Sequence, residues 1–184
     1  MGVPAPEPLC PESRGLSLAE LYREHFDFVW RNLLRLGVPE NALEDAVHDV
    51  FVVAHRRLPE FEARSHPTTW LFAIATRVAH EQRRKHRRHR VEPTPELVDE
   101  DGLPPDEAAA RIQARRQVHW ALQQLEPGRR AVFVMVELEQ MTIPVIAEAL
   151  GIPLNTAYSR LRLARRDFEV AIRRLAARPT WRQQ

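Results

Sequence analysis

Cysteine is almost absent from this sequence: Cys10 is the only one in 184 residues, so no internal disulfide can form and no Cys-x-x-Cys pair is available for zinc. No structural metal and no bound cofactor are expected. Glycine is scarce as well, with six in the chain, and none of them builds a glycine-rich phosphate loop. Long apolar runs are missing too, since no stretch of about 18 apolar residues reads as a membrane span. The opening MGVPAPEPLCPESRG has neither the charged n-region nor the apolar h-region of a secretory signal. These absences together predict a cytoplasmic protein without membrane insertion. A strong charge imbalance is also lacking: 27 bases against 25 acids give a formal charge of +2, which leans only mildly towards a polyanionic partner.

The local distribution of charge is far less even than the total. From Arg83 to Arg90 six of eight residues are Lys or Arg, whereas from Glu92 to Glu107 seven are acidic and none is basic. Around this boundary the apolar spacing is helical throughout. Prolines 4, 6, 8 and 11 mark residues 1–15 as a disordered tail. Leu18, Leu21, Tyr22, Phe26, Val29, Trp30 and Leu33 predict a helix that ends at Gly37-Val38-Pro39. Leu43, Ala46, Val47, Val50, Phe51 and Ala54 predict a second, stopping before Pro59. A third starts near Pro67-Thr68-Thr69, with Ser65 or a following Thr as cap, and runs through Trp70, Leu71, Ile74, Ala75 and Val78 into the basic run.

Residues 91–110 hold four prolines and seven acids and read as a linker. Helicity resumes near Ala108, breaks at Pro127-Gly128, and continues from Ala131 to Leu138. A short helix from Thr142 to Leu150, the turn Gly151-Ile152-Pro153 and a long helix from about Asn155 to Ala176 complete the chain, with a tail at 179–184. The apolar run AVFVMVEL is read as buried helix rather than strand. The fold class is all-α, as two small helical domains, 16–90 and 111–178, joined by an acidic flexible linker.

Three surfaces stand out. TIPVIAEALGIPLNTAYSRLRLARR is a helix-turn-helix pattern. In its second helix Ala157, Leu161, Ala164 and Phe168 face inward and Asn155, Thr156, Ser159, Arg162 and Arg166 face out, with Arg160 and Arg165 on the flanks; such groups can reach phosphates or base edges. An amphipathic helix with a solvated basic face remains the plainer reading. The third helix begins among Phe61, Trp70 and Phe72 and ends in RRKHRRHR, which suits unstacked bases beside phosphates, although large aromatics at helical spacing mostly pack, and packing is the first expectation for Phe61 and Trp70. On the second helix Asp45 and Asp49 lie one turn apart beside Glu44 and His48, a like-charge arrangement that costs a few tenths of a kcal/mol in isolation and that a basic partner would reverse. The same carboxylates could hold Mg²⁺ in a nuclease, but no third ligand or catalytic base is evident.

Taken in order, EDAVHDVFVVAHRRLPEF, TTWLFAIATRVAHEQRRK and ALQQLEPGRRAVFVMVELEQMTIPVIAEALGIPLNTAYSRLRLARR resemble a bacterial RNA polymerase sigma factor of the sigma-70 family, more narrowly of the extracytoplasmic-function (ECF) group. The likeness runs from about Leu18 to Leu175 and comprises regions 2 and 4. It implies that Glu44, Asp45, His48 and Asp49 bind core polymerase at the β′ clamp helices, with a further contact at the β flap. It implies that Phe61, Arg64, Ser65, Trp70, Arg77, Arg83, Arg84 and Lys85 meet the minus-ten element of promoter DNA. Asn155, Thr156, Ser159, Arg160, Arg162 and Arg166 would then read the minus-thirty-five element. An external anti-sigma factor is implied as regulator. The acidic linker would lie near the path of nascent RNA and mimic it, a solubilising spacer being the plainer alternative.

The sequence departs from the family pattern at four places: His48 stands where Gln is frequent, Ala63 for Gly, Arg77 for Asn and Tyr158 for Lys. The last two fall where DNA is read, so an altered promoter preference is expected. No enzyme chemistry is expected of the chain, because no nucleophile-base pair or convergent carboxylate cluster is present. A free-standing helix-turn-helix regulator is the alternative; it would normally dimerise, and no dimerisation heptad is seen.

Overall fold

The structure, a computed structural model, describes residues 17–61, 66–86 and 105–177. Every regular element among them is helical: α1 (Leu18–Arg35), α2 (Leu43–Arg57), α3 (Pro67–His86), α4 (Pro105–Gln123), α5 (Pro127–Phe133), α6 (Ile143–Leu150) and α7 (Leu154–Ala176). The two tails, Arg64, Ser65 and most of the acidic linker lie outside the described residues.

The ends of these helices follow from local chemistry. Ser17 and Glu20 form a reciprocal capping box at the start of α1, satisfying donors that the first turn leaves open. Gly37, at φ +90°, stops α1 by taking a backbone conformation that other residues rarely adopt. Ser65, one of the expected caps of α3, lies outside the described residues; His66 precedes Pro67, and its Nδ1 lies 3.4 Å from the Thr68 amide and 2.8 Å from the Thr68 hydroxyl. Helix α4 begins at Pro105, three residues before the expected resumption, with proline at its first position where no amide donor is needed.

The expected break at Pro127-Gly128 is corrected as well. These two residues form the first turn of α5, because the Glu126 carboxylate accepts from the Gly128 and Arg129 amides at 3.0 and 3.1 Å. The AVFVMVEL stretch is buried helix, as expected from sequence, and its second half, Val134–Leu138, winds as a π-helical turn that Gln140 closes at φ +55°. Gly151, left-handed at φ +63°, ends α6, where the Gly151 and Ile152 amides return to the Glu148 and Ala147 carbonyls.

Helices α1, α2 and α3 pack on one another through Leu21, Val29, Leu33, Val47, Val50, Leu71 and Phe72, all at most 2% exposed. Each such side chain contributes about 1.5–3 kcal/mol by leaving water. The second unit is built on α7: Ala157, Leu161 and Ala164 bury against α5 and α6, and the Phe168 ring stacks on Phe133 at 4.8 Å. The two units do not stand apart. Their buried residues join in one continuous apolar cluster, with α3 against α6 and α1 against α4. No described helix is long and apolar enough to cross a membrane.

Candidate nucleic-acid interface and its neighbouring surfaces

On α2 the inward stripe of Ala46, Val47, Val50, Phe51 and Ala54 fixes the outward face, and Glu44, Asp45, His48 and Asp49 are all exposed on it. Asp49 is tied across to α3, where the buried Gln82 donates to it at 3.2 Å. Beside this face runs a groove of about 1350 Å³ between α1 and α2, with Glu44 and His48 on its rim. Its walls include Tyr22, Phe26 and Trp30, which recur every fourth residue along α1 and meet in sequence as tilted pairs, Tyr22 with Phe26 at 5.3 Å and Phe26 with Trp30 at 5.8 Å. In the sequence these aromatics served only to place the first helix. Tyr22 is 46% exposed, in contact with Phe51 at 4.7 Å. The four-residue aromatic spacing was the available signal, and helical periodicity alone cannot separate a groove wall from a core.

Among the described residues no group of three or more His, Cys, Asp or Glu side chains is placed to hold a metal ion. The α2 carboxylates thus have no third ligand from elsewhere in the described fold.

At the start of α3 the Phe61 and Trp70 rings pack on each other at 4.8 Å, both half-buried. Phe72 is wholly buried and meets Phe28 edge-on, so it belongs to the core and not to the surface. Arg77, Arg84 and Lys85 are exposed along α3, and Arg83 is half-buried. The helix therefore offers aromatic edges at one end and a string of cations towards the other.

On α7 Asn155, Ser159, Arg162 and Arg166 share the exposed face. Thr156 and Arg160 do not: Thr156 is half-buried, and Arg160 leans over Gly128 at the start of α5. Arg166 is held by Asp167 at 3.0 Å, whose other oxygen takes Arg129 at 2.7 Å, and these bonds keep the Asp167 carboxyl below the usual carboxylate range. Arg165 pairs with Glu137 at 2.7 Å. Arg162 thus stands as an exposed cation in the middle of the face. Tyr158, 51% exposed, and Leu154, 45% exposed, add apolar surface to the same end of the helix.

Two sequence profiles match the chain: Sigma-70 region 2 at residues 21–89 and Sigma-70, region 4 at residues 115–168. The chain is 31% identical to the ECF RNA polymerase sigma factor SigL of Mycobacterium tuberculosis over 160 residues, covering 84% of this chain and 88% of that protein. It is 28% identical to the ECF RNA polymerase sigma factor SigE of Mycolicibacterium smegmatis, covering 81% of this chain and 59% of that longer protein. Among solved structures, the sigma factor RpoE in complex with the anti-sigma factor NepR from Bartonella quintana has the same fold, with a TM-score of 0.67, 19% identity and coverage of 84% of this chain and 96% of that one.

Proposed function

The chain belongs to the ECF group of sigma-70 RNA polymerase sigma factors, and from that premise we propose how its surfaces divide the work of directing polymerase to promoters. The acidic face of α2 and the aromatic groove beside it dock core polymerase at the β′ clamp helices: Glu44, Asp45, His48 and Asp49 meet basic side chains, and Tyr22, Phe26 and Trp30 supply apolar contact. The observation that carries this reading is the clustering of charge, with exposed Glu44, Asp45 and Asp49 together on the first half of α2, ahead of the basic last turn of that helix, and exposed bases gathered on the second half of α3 and along α7. One surface suits a protein with a basic face; the other two suit DNA.

Phe61 and Trp70, with Arg64 and Ser65 of the preceding loop, receive an unstacked base of the minus-ten element, while Arg77, Arg83, Arg84 and Lys85 neutralise phosphates. Unstacking costs a few kcal/mol, which stacking and counterion release recover. Asn155, Ser159 and Arg162 enter the major groove at the minus-thirty-five element, with Arg166 and Arg160 on the backbone to either side. In this scheme residues 16–90 and 111–178 are the two working domains, and 91–110 joins them. The chain performs no bond chemistry; phosphodiester formation belongs to the polymerase, and the cytoplasm is its place of work. By analogy with the NepR complex, an anti-sigma factor is its regulator.

Transcription by reconstituted polymerase with three variants tests the division. Asp45→Lys should lose core binding, Arg84→Glu should bind core but open promoters poorly, and Arg162→Ala should weaken promoter binding. Equal loss of core binding in all three would overturn the assignment.

A further inference from the structure

The groove between α1 and α2, about 1350 Å³, exceeds the roughly 300–1,000 Å³ of a small-molecule pocket. A length of polypeptide fits it better than a small molecule does. Its α1 wall is a row of rings, Tyr22, Phe26 and Trp30, and Phe51 joins the row from α2 through its contact with Tyr22 at 4.7 Å. Tyr22 is exposed and Phe26 and Trp30 are half-buried, so part of each ring stays open after the core is packed.

An aromatic row of this kind suits one backbone conformation. Proline-rich chain favours the extended polyproline II helix, which makes no internal hydrogen bonds and docks on aromatic-lined grooves at low entropic cost. A tyrosine hydroxyl and an indole N–H, such as Tyr22 and Trp30 carry, are donors that its open carbonyls can accept.

This chain carries such a segment beside the groove. Pro4, Pro6, Pro8 and Pro11 precede α1, among residues that lie outside the described ones, and Pro8-Leu9-Cys10-Pro11 has the P-x-x-P spacing. The segment is tethered at the mouth of the groove, because Leu18 and Ala19, the first residues of α1, line one end of it. The contact of Tyr22 with Phe51, on helices joined through residues 36–42, sets α1 and α2 antiparallel and brings His55 and Arg56 to that same mouth.

Reach and charge both fit. From Leu18 to Trp30 α1 rises about 18 Å, at about 1.5 Å per residue. Pro6 to Pro11 in polyproline II form covers roughly 19 Å, at about 3.1 Å per residue. Residues 12–16 are left to reverse the chain, and Gly15 among them can take the backbone conformations that a reversal needs. Glu12 then falls at the mouth, beside Arg23, His55 and Arg56.

We propose that the proline-rich segment Pro6–Pro11 folds back into the α1–α2 groove in polyproline II form and packs on Tyr22, Phe26 and Trp30, competing there with polymerase. Docking itself rests on the groove, whereas the competition rests on the polymerase-docking reading of that groove given above. A short tether holds the segment at an effective concentration in roughly the millimolar range, so even a weak contact fills an appreciable fraction of chains. Apparent affinity for polymerase falls with the fraction left open.

Disulfide capture in the full chain tests this, because Cys10 is the one cysteine and lies inside the segment. Val52→Cys places a second thiol on the groove wall, and Glu24→Cys places one on exposed α1 surface outside the groove. In a glutathione redox buffer Val52→Cys should bond to Cys10 of the same chain about tenfold faster than Glu24→Cys does. Adding P6S/P8S/P11S should make the two rates equal, with helical content unchanged by circular dichroism. Without an added thiol, the same proline variant should bind core polymerase about threefold more tightly than the native chain. Equal capture at the two positions with the native segment would overturn docking. Capture between chains in place of capture within one would also overturn it, giving the groove to a second copy. Selective capture with polymerase affinity unchanged in the proline variant would overturn the competition. Failure of the native chain to bind polymerase would instead strike the sigma-factor reading, with the capture rates still deciding docking.

Discussion

Arg130→Met keeps much of the side chain's bulk but leaves the Leu36, Gln123 and Leu125 carbonyls without the donor that now serves them. Urea unfolding should show a loss of about 2–3 kcal/mol, the scale of buried polar groups left unpaired. A neighbouring titration should follow the same site. His119 is lowered by burial first and by the Arg130 charge second. Above its unfolded value, about 6.5, both states are neutral there and no pH dependence arises. Below it the unfolded chain takes a proton that the folded chain resists, so stability falls as pH drops towards the depressed folded value. His25, lowered chiefly by burial, acts in the same sense. Thermal unfolding should therefore occur at lower temperature at pH 5 than at pH 7, and His119→Gln should shrink that difference; an unchanged slope would remove His119 from it. The role of Arg130 was not legible in the sequence, where it sits beside Arg129 in an ordinary basic pair. One of the two arginines reaches Asp167 at the surface and the other turns inward to the Leu36 carbonyl, a choice made by helix phase and by the distant turn at Gly37.

Most helices were legible because apolar spacing and glycine or proline stops coincide: α1, α2, α6 and α7 lie within a few residues of their expected bounds. The α4–α5 boundary was not, because a proline-glycine pair reads as a stop until the Glu126 cap turns it into a start. Periodicity also placed the inward face of α7, but it could not show that Arg160 leans on Gly128. Helix faces carry two predictions. Asp45→Lys should reduce core binding about tenfold at low salt and less at high salt, while unfolding free energy changes by no more than about 0.5 kcal/mol, because Asp45 is exposed on α2. On α7, Arg166→Ala in the holoenzyme should weaken all promoters alike and reduce the salt slope by about one. Tyr158→Ala should instead change preference at one or two minus-thirty-five positions, since an exposed aromatic among polar groups discriminates by contact with base edges and thymine methyls. Promoter-variant pools separate these outcomes; a uniform loss from Tyr158→Ala would exclude it from base reading.

At the scale of the whole chain, a near-neutral total conceals surfaces of opposite sign, and this was readable from the order of residues alone. The sequence showed two helical units in series, each with its own apolar periodicity. It did not show their shared cluster, because contacts between helices far apart in the chain leave no local pattern. The ECF sigma factor assignment makes the molecule one whose specificity appears only in company with polymerase. The most direct measurement is transcription with purified bacterial core polymerase over a pool of genomic fragments, with and without this protein, sequencing the RNA starts. Starts that require the protein and share two upstream motifs, roughly 25 base pairs apart between centres as the element positions dictate, are the expected result. No protein-dependent starts, despite tight duplex binding by the chain alone, would contradict the sigma-factor function.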